Sequence, residues 1–316
     1  MTALHPQVQN LLDMAAAAGA RPLSEGGVEA ARLRPAAIMQ ITGTGPEMVE
    51  ERDIVVPSGD AEVPARLYRP GSGTPPGVVV YFHGGGWMVG EVSHFDGASR
   101  RLAAASGCDV LSVGYRLAPE HCFPAAADDA SAAIEWASAE LADGRPLIVV
   151  GDSSGGNIAT VAARRARDGG RPAIALQVLI YPVTDSDFET DSYLTRGDGS
   201  VGLCAADMQW FWEEYVPDPA LRRHEDAAPL RAADLSGMPP ALVIVAEYDP
   251  LRDDGLGYAQ RLSEAGNEVT LSLYEDVNHG FFTMAGYLDR GDDAVAEIAA
   301  AIERVVAQDG AASSSR

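Results

Sequence analysis

The chain has 316 residues, and 47% of them are hydrophobic, which is enough to bury a sizeable core in one large domain with an insertion, or in two domains at most. Its formal net charge is −23, and all 23 residues in the lysine and arginine class are arginines. This acidity argues against nucleic acid and anionic membranes as partners, because both attract positively charged surfaces.

The first 45 residues carry two helical patterns, about His5–Ala18 and Gly27–Ile41. The run Leu11–Ala20 is as apolar as the centre of a signal sequence, but it follows no basic segment and contains Asp13, so it predicts an amphipathic helix. No apolar run approaches the roughly 18 residues that a bilayer-spanning helix needs. We therefore expect a cytoplasmic protein without membrane contact.

Three cysteines, Cys108, Cys122 and Cys204, are scattered along the chain. Their spacing matches neither a disulfide framework nor a zinc site, and an odd number of cysteines fits a reducing compartment. Cys108 opens a predicted strand and is expected to lie in the core. The cysteines thus agree with a cytoplasmic location.

Strand patterns fill the middle of the chain. Arg52–Val56 and Val63–Tyr68 alternate apolar and polar residues, which predicts half-exposed antiparallel strands. Six continuous apolar strands follow: Val78–Phe82, Val110–Tyr115, Leu147–Val150, Leu176–Tyr181, Ala241–Ala246 and Val269–Tyr274. Helical patterns separate or follow them: about His94–Ser106, Ala125–Leu141, Asn157–Arg167, Gly255–Ala265 and Asp293–Val306. Buried strands alternating with helices predict an α/β fold with a mostly parallel, eight-stranded sheet that helices cover on both faces.

One long connection interrupts this alternation. Sixty residues separate Tyr181 from Ala241, more than an ordinary loop, so we predict an insertion with structure of its own. It contains a helix around Asp207–Tyr215 with large side chains on one face: Met208, Phe211, Trp212 and Tyr215. That face either packs against the body of the protein or forms a lid over a substrate pocket, and the two interpretations are compatible.

The segment Gly151-Asp152-Ser153-Ser154-Gly155 has the pattern G-x-S-x-G and lies between a strand and a helix. In that context the pattern predicts a nucleophile elbow, a tight turn that exposes the hydroxyl of Ser153. A glycine-rich loop could match the pattern by chance, but the strand before it and the helix after it favour the elbow. The first amides of the helix lack intrahelical partners and can stabilise negative charge.

A serine nucleophile needs a base, and in this type of fold the order along the chain is serine, acid, histidine. Of the six histidines only His224 and His279 follow Ser153. Only His279 lies just after a predicted strand, in the loop Asp276–Phe282. We therefore predict that His279 is the base.

The acid that orients the imidazole is predicted to be Asp249, which follows the strand Ala241–Ala246 and precedes His279. Glu247 is its main competitor. Asp253 and Asp254 are better placed to stabilise the start of the next helix, where negative charge favours the helix dipole.

The oxyanion of a tetrahedral intermediate needs hydrogen-bond donors already in place. The segment His83-Gly84-Gly85-Gly86-Trp87 directly follows the strand Val78–Phe82, and its three glycines let backbone amides approach a ligand closely. We interpret it as an oxyanion loop; the alternative interpretation is a flexible loop without a catalytic role. The amide of Ser154, next to the nucleophile, should be a further donor.

Taken together, four segments make the sequence resemble the bacterial hormone-sensitive-lipase-like esterases of the branch whose elbow has the sequence G-D-S-x-G. They are His83–Trp87, Gly151–Asn157, Asp249–Asp253 and Asn278–Phe281, joined by the similar segment Tyr115–Glu120. The resemblance spans roughly residues 11–306 and implies an α/β-hydrolase fold. It implies that the oxyanion donors are the amides of Gly85, Gly86 and Ser154. Ser154 itself departs from the family, where alanine is commoner.

The resemblance also implies a division of the chain. Residues 1–45 and the insertion 183–218 would form a helical cap, and residues 46–182 and 219–308 the catalytic domain. From its polar composition, the segment 309–316 is expected to be a disordered tail. We expect four aromatic residues in the substrate pocket: Trp87, Phe211, Trp212 and Phe281.

The predicted function is a serine carboxylesterase that uses water to cleave small esters through an acyl-enzyme, without metal or cofactor. The resemblance implies that the substrates are esters of short to medium acyl chains. Hydrolysis of an amide, carbamate or lactone remains an alternative, as does, more remotely, a non-catalytic small-molecule binding protein. The last strand, Val269–Tyr274, is expected at a sheet edge, where two copies could pair as a homodimer or where charge or water could cover it.

Overall fold

The fold is built on a central eight-stranded sheet. The computed structural model describes residues 2–314, and for residues 309–314 it describes the backbone alone. The strands are β1 Glu50–Ser58, β2 Ala61–Arg69, β3 Val78–Phe82, β4 Asp109–Val113, β5 Leu147–Asp152, β6 Leu176–Ile180, β7 Ala241–Tyr248 and β8 Val269–Asn278. Their order across the sheet is β1-β2-β4-β3-β5-β6-β7-β8. β2 runs antiparallel to β1 and β4, and all the other neighbours are parallel.

The α-helices lie before, between and after these strands. They are α1 Pro6–Ala17, α2 Leu23–Arg32, α3 Arg34–Thr42, α4 Asp96–Ser106, α5 Ala125–Ala137, α6 Ser154–Gly169, α7 Asp191–Arg196, α8 Ala205–Tyr215, α9 Arg252–Glu264 and α10 Asp289–Ser314. None of the helices within residues 2–314 combines the length and the apolar character that a membrane crossing requires.

Apolar packing covers the sheet on both faces. Every residue of β3, β4, β5 and β6 is buried, which explains why these strands have no alternation in their sequence. One core includes Ile134 of α5 and Leu262 of α9, and the other includes Leu102 of α4 and Ile302 of α10. The predicted fold class, an α/β-hydrolase fold with a mostly parallel eight-stranded sheet, is confirmed.

The N-terminal helices differ from their prediction. The single helix expected over Gly27–Ile41 is two helices, α2 and α3, which meet at Leu33. Pro35 explains the break, because proline has no amide hydrogen to donate and is tolerated only in the first turn of a helix. The short helix α7 was not predicted, since six residues are too few to show a helical period.

The end of the chain also differs in detail from expectation. α10 continues to Ser314, so the backbone is helical over residues 309–314, where the sequence predicted a disordered tail. Residues 315 and 316 lie outside the described residues. Among the strands of the described residues, β8 pairs only with β7 and therefore forms a sheet edge, as expected, on which Leu271 and Leu273 are exposed. Dimerisation there stays a prediction.

Candidate active site

Ser153 stands at a tight turn between β5 and α6. Its φ of 55° and ψ of −121° lie outside the regions that non-glycine residues prefer, as expected of a nucleophile elbow. The flanking glycines make the turn possible by allowing close backbone contact. A Cβ atom on Gly151 would come 2.2 Å from the carbonyl oxygen of Gly155, and one on Gly155 would come 2.0 Å from that of Phe82.

The structure brings the three predicted triad side chains together. The Oγ of Ser153 is 3.0 Å from Nε2 of His279, and Nδ1 of His279 is 2.7 Å from Oδ2 of Asp249. Asp249 is fully buried, and its other oxygen accepts the amide hydrogen of Leu251 at 2.8 Å. Because a carboxylate can only accept, Nδ1 of His279 carries the hydrogen and Nε2 is free to accept the proton of Ser153.

The competing acid is engaged elsewhere. A carboxylate oxygen of Glu247 is 3.1 Å from Arg196 and 3.0 Å from Arg252. Asp254 is buried, and its Oδ2 accepts the amide hydrogens of Thr184 and Asp185. The geometry therefore distinguishes Asp249 from its neighbours as the acid that contacts the imidazole.

The glycine loop after β3 lies beside the nucleophile. Gly84, Gly85 and Gly86 line the same cavity as Ser153. Within the part of the chain that the structure describes, the amides of Gly85 and Gly86 donate no hydrogen bond, so both are available to a ligand. The amide of Ser154 begins α6, where the first amides of a helix lack an intrahelical acceptor. Gly85 and Gly86 thus line the cavity of the nucleophile, and Ser154 follows it directly in the chain.

His83, the first residue of this loop, is a buried support. Its ring lies between Phe95, at 4.6 Å, and Tyr115, at 4.5 Å, and its Nδ1 is 2.7 Å from the carbonyl oxygen of Gly84. Burial lowers the pKa of His83 to about 4, so its imidazole is neutral near pH 7. The hydroxyl of Tyr115 donates to the carbonyl oxygen of His83 at 2.7 Å. These contacts fix the start of the glycine loop.

A cavity of about 600 Å³ opens at Ser153 and His279. Its wall is mostly apolar and comes from two distant parts of the chain. The N-terminal helices contribute Leu12, Ala16, Leu23, Ala31, Ile38 and Met39, and the insertion contributes Leu203, Met208 and Phe211. The two parts are joined where the amide and hydroxyl of Ser24 donate to Asp207, at 2.9 and 2.8 Å.

Of the four aromatic residues expected in the pocket, only Phe211 lines the cavity. Trp87, Trp212 and Phe281 are fully buried and do not line this cavity. The two tryptophan rings pack together at 5.1 Å, and Phe281 packs against Tyr181 at 5.7 Å. Their large apolar area favours burial in the core over exposure in an open cavity.

Sequence reasoning missed two side chains that touch the site. The ring of Tyr181 is 4.6 Å from that of His279, and Tyr181 has an unusual φ of 35°. Its position at the end of β6, on the edge of the sheet that carries the site, was the available signal. Asp152 was treated only as a marker of the family branch, although it lies next to the nucleophile and its carboxylate contacts the glycine loop.

Comparisons with known proteins identify relatives of this chain. A family model described as alpha/beta hydrolase fold matches residues 79–283. The chain is 38% identical over 293 residues to Carboxylesterase NlhH of Mycobacterium tuberculosis, covering 89% of this chain and 90% of that protein. It is 37% identical over 267 residues to the Ethyl acetate hydrolase of Pseudomonas putida, covering 82% and 83%. The hyperthermophilic esterase from the archaeon Pyrobaculum calidifontis superposes with a TM-score of 0.90 at 38% identity, covering 96% of this chain and 100% of that chain.

Proposed function

This chain belongs to the α/β-hydrolase family and, within it, to the esterases that resemble hormone-sensitive lipase, and on that premise we propose that it is a serine carboxylesterase. Relatives of similar length carry the names carboxylesterase and ethyl acetate hydrolase. The observation that carries the proposal is the chain of hydrogen bonds from Ser153 through His279 to Asp249, in a cavity that Gly85 and Gly86 also line.

The proposed reaction has two steps. The oxygen of Ser153 attacks the ester carbonyl while Nε2 of His279 takes its proton, and Asp249 stabilises the resulting imidazolium. The carbonyl oxygen becomes an oxyanion that accepts hydrogen bonds from the amides of Gly85, Gly86 and Ser154. When the tetrahedral intermediate collapses, the C–O bond to the alcohol breaks and His279 gives its proton to the leaving alkoxide. Water then repeats the sequence on the acyl-enzyme and frees the acid.

The cavity supports small esters as substrates. A volume of about 600 Å³ lies in the range of pockets that hold one small organic molecule, and the apolar wall suits an uncharged acyl or alcohol chain. We propose that residues 1–45 and 183–218 act as a helical cap, since Ile38, Met39 and Phe211 supply much of this wall. The substrates are then esters of short to medium acyl chains, presented in solution.

Replacing the nucleophile tests the proposal. Ser153→Ala should lower kcat for a p-nitrophenyl ester of a short acid by about 10⁴-fold or more, because no other side chain replaces the attacking hydroxyl. A fluorophosphonate should label the wild-type protein and leave Ser153→Ala unlabelled. The matched control is Ser154→Ala. The side chain of Ser154 is fully buried and has no role in the proposed reaction, and the substitution keeps the backbone amide.

The outcomes separate the alternatives. Ser154→Ala should hydrolyse the ester within about threefold of the wild-type rate, since the proposed role of that residue uses its amide. A wild-type protein that the fluorophosphonate does not label would be a binding protein and not a hydrolase. A Ser153→Ala variant that keeps wild-type turnover would exclude Ser153 as the nucleophile.

A further inference from the structure

The glycine loop is held by side chains beneath it as well as by its own backbone. One carboxylate oxygen of Asp152 accepts the amide hydrogen of Gly84 at 3.0 Å and the hydroxyl of Tyr81 at 2.7 Å. The other oxygen lies directly against Gly84, since a Cβ atom there would come within 2.5 Å of it. Asp152 therefore connects the elbow that carries Ser153 to the first peptide of the loop that carries Gly85 and Gly86.

Asp152 makes this contact although it is buried, which disfavours the charged form of its carboxylate. It is only 3% exposed, and burial raises its pKa to about 6, although the bonds from Tyr81 and Gly84 lower it. The titratable side chains that face it come from four elements: Tyr81 on β3, Tyr115 after β4, Tyr181 after β6 and His279 after β8. A buried carboxylate that keeps its charge near neutral pH costs stability. Here the hydrogen bonds from Tyr81 and Gly84 offset part of that cost.

We propose that Asp152 is a positioning residue, whose ionised carboxylate fixes the Gly84 peptide and thereby aims the amides of Gly85 and Gly86 at the oxyanion. The inference rests on the proposed esterase function and adds a second requirement on protonation. An ionised acceptor binds an amide roughly twice as strongly as a neutral one. Protonation of Asp152 therefore loosens the loop, and turnover falls on the acid side for a reason separate from His279.

Two variants test this role through different readouts. Asp152→Asn keeps the shape of the side chain and one acceptor oxygen but removes the charge. At pH 8 its kcat should fall about tenfold while KM stays within twofold of the wild-type value. This loss is smaller than the roughly 100-fold or greater loss expected when an oxyanion donor is removed. Tyr81→Phe keeps Asp152 but removes a hydrogen bond to its ionised form. That change raises the pKa of Asp152, so the acid limb of the kcat profile should move to higher pH by about half a unit.

Thermal stability gives an independent check of the charge. The pKa of Asp152 is raised on folding from an ordinary value of 3.8 to about 6, so the folded protein holds a proton there between about pH 4 and 6 that the unfolded chain releases. The stability from this group is complete below pH 4 and is lost as the pH rises through 6. Asp152→Asn lacks that loss. The Tm of the variant minus that of the wild type should therefore be larger at pH 8 than at pH 5.

Tyr115→Phe is the matched control, because it releases the loop at the carbonyl of His83 without removing a hydrogen bond to Asp152. It should lower kcat and leave the acid limb in place. The inference is overturned if Tyr81→Phe leaves the acid limb unmoved, or if Asp152→Asn keeps wild-type kcat throughout the pH range. Failure of the esterase proposal is distinct, since Ser153→Ala would then also keep its activity.

Discussion

Replacing Asp249 by asparagine probes the hydrogen-bond direction on which the proposed mechanism depends. Asp249 accepts two hydrogens, one from the amide of Leu251 at 2.8 Å and one from His279 at 2.7 Å. Asparagine has only one acceptor oxygen, and that oxygen should accept the hydrogen of the fixed Leu251 amide. In the opposite orientation the side-chain –NH2 group would face the Leu251 N–H, and two donors would meet. In the favoured orientation the –NH2 group faces Nδ1 of His279. His279 must carry its hydrogen on Nε2, where it can no longer accept the proton of Ser153.

The expected loss is large because the wrong tautomer removes the base while leaving the fold intact. For a serine–histidine–aspartate triad this change lowers kcat by about 10⁴-fold, or roughly 5 kcal/mol of transition-state stabilisation. The assay is the initial rate of p-nitrophenyl ester hydrolysis at saturating substrate and pH 8. Circular dichroism and Tm should show a folded variant, since asparagine fills nearly the same volume.

Glu247→Gln is the matched control for this experiment. Glu247 is the nearby acid that binds Arg196 and Arg252 instead of the imidazole, so its loss should change kcat by less than about threefold. The reasoning is refuted if Asp249→Asn retains more than a tenth of the wild-type kcat, or if the two variants lose activity equally.

Two further predictions concern glycines in close contact. Gly86 has a φ of +60°, and a Cβ atom there would come 2.4 Å from the ring of Phe211. Gly86→Ala should therefore lower kcat/KM about 100-fold, and adding Phe211→Ala should restore at least tenfold of that loss. A double variant no more active than Gly86→Ala would show that the clash with Phe211 is not the cause. Gly155→Ala places its Cβ 2.0 Å from the carbonyl of Phe82 and should lower the free energy of unfolding, measured in urea, by more than about 3 kcal/mol. The control Gly169→Ala has open space around the new Cβ and should be neutral or stabilising. Equal stability of the two variants would rule out the steric explanation.

Much of the fold follows from patterns within short segments. The alternation in Arg52–Val56 and Val63–Tyr68 predicted half-exposed antiparallel strands, and β1 and β2 are antiparallel. The continuous apolar runs predicted parallel strands buried on both faces, as found for β3 to β6. These signals are reliable because burial of one or both faces acts on each residue of a strand separately. Pro35 explains the break between α2 and α3, but the helical spacing of apolar residues on both sides of it predicted one continuous helix.

The wall of the cavity could not be predicted in the same way. The helical face with Phe211 and Trp212 looked uniform in sequence, yet Phe211 lines the cavity and Trp212 lies in the core. Residues separated by one position on a helix point in directions about 100° apart, so a small rotation of α8 decides which of them is covered. The contribution of Ile38 and Met39 was likewise hidden, because it depends on where the N-terminal helices dock.

The sequence by itself determined the parts of the site that a few consecutive residues build. Steric exclusion within the turn requires Gly151, because a Cβ atom there would meet the carbonyl of Gly155, and this requirement involves positions only four residues apart. Gly155, in contrast, is required by the carbonyl of Phe82 on the neighbouring strand.

The sequence favoured Asp249 over Glu247 as the acid, but only the tertiary structure shows which of them contacts His279, and only it shows that Asp152 contacts Gly84. Both depend on contacts between segments tens of residues apart, where packing of whole strands and helices sets distances that no local pattern encodes.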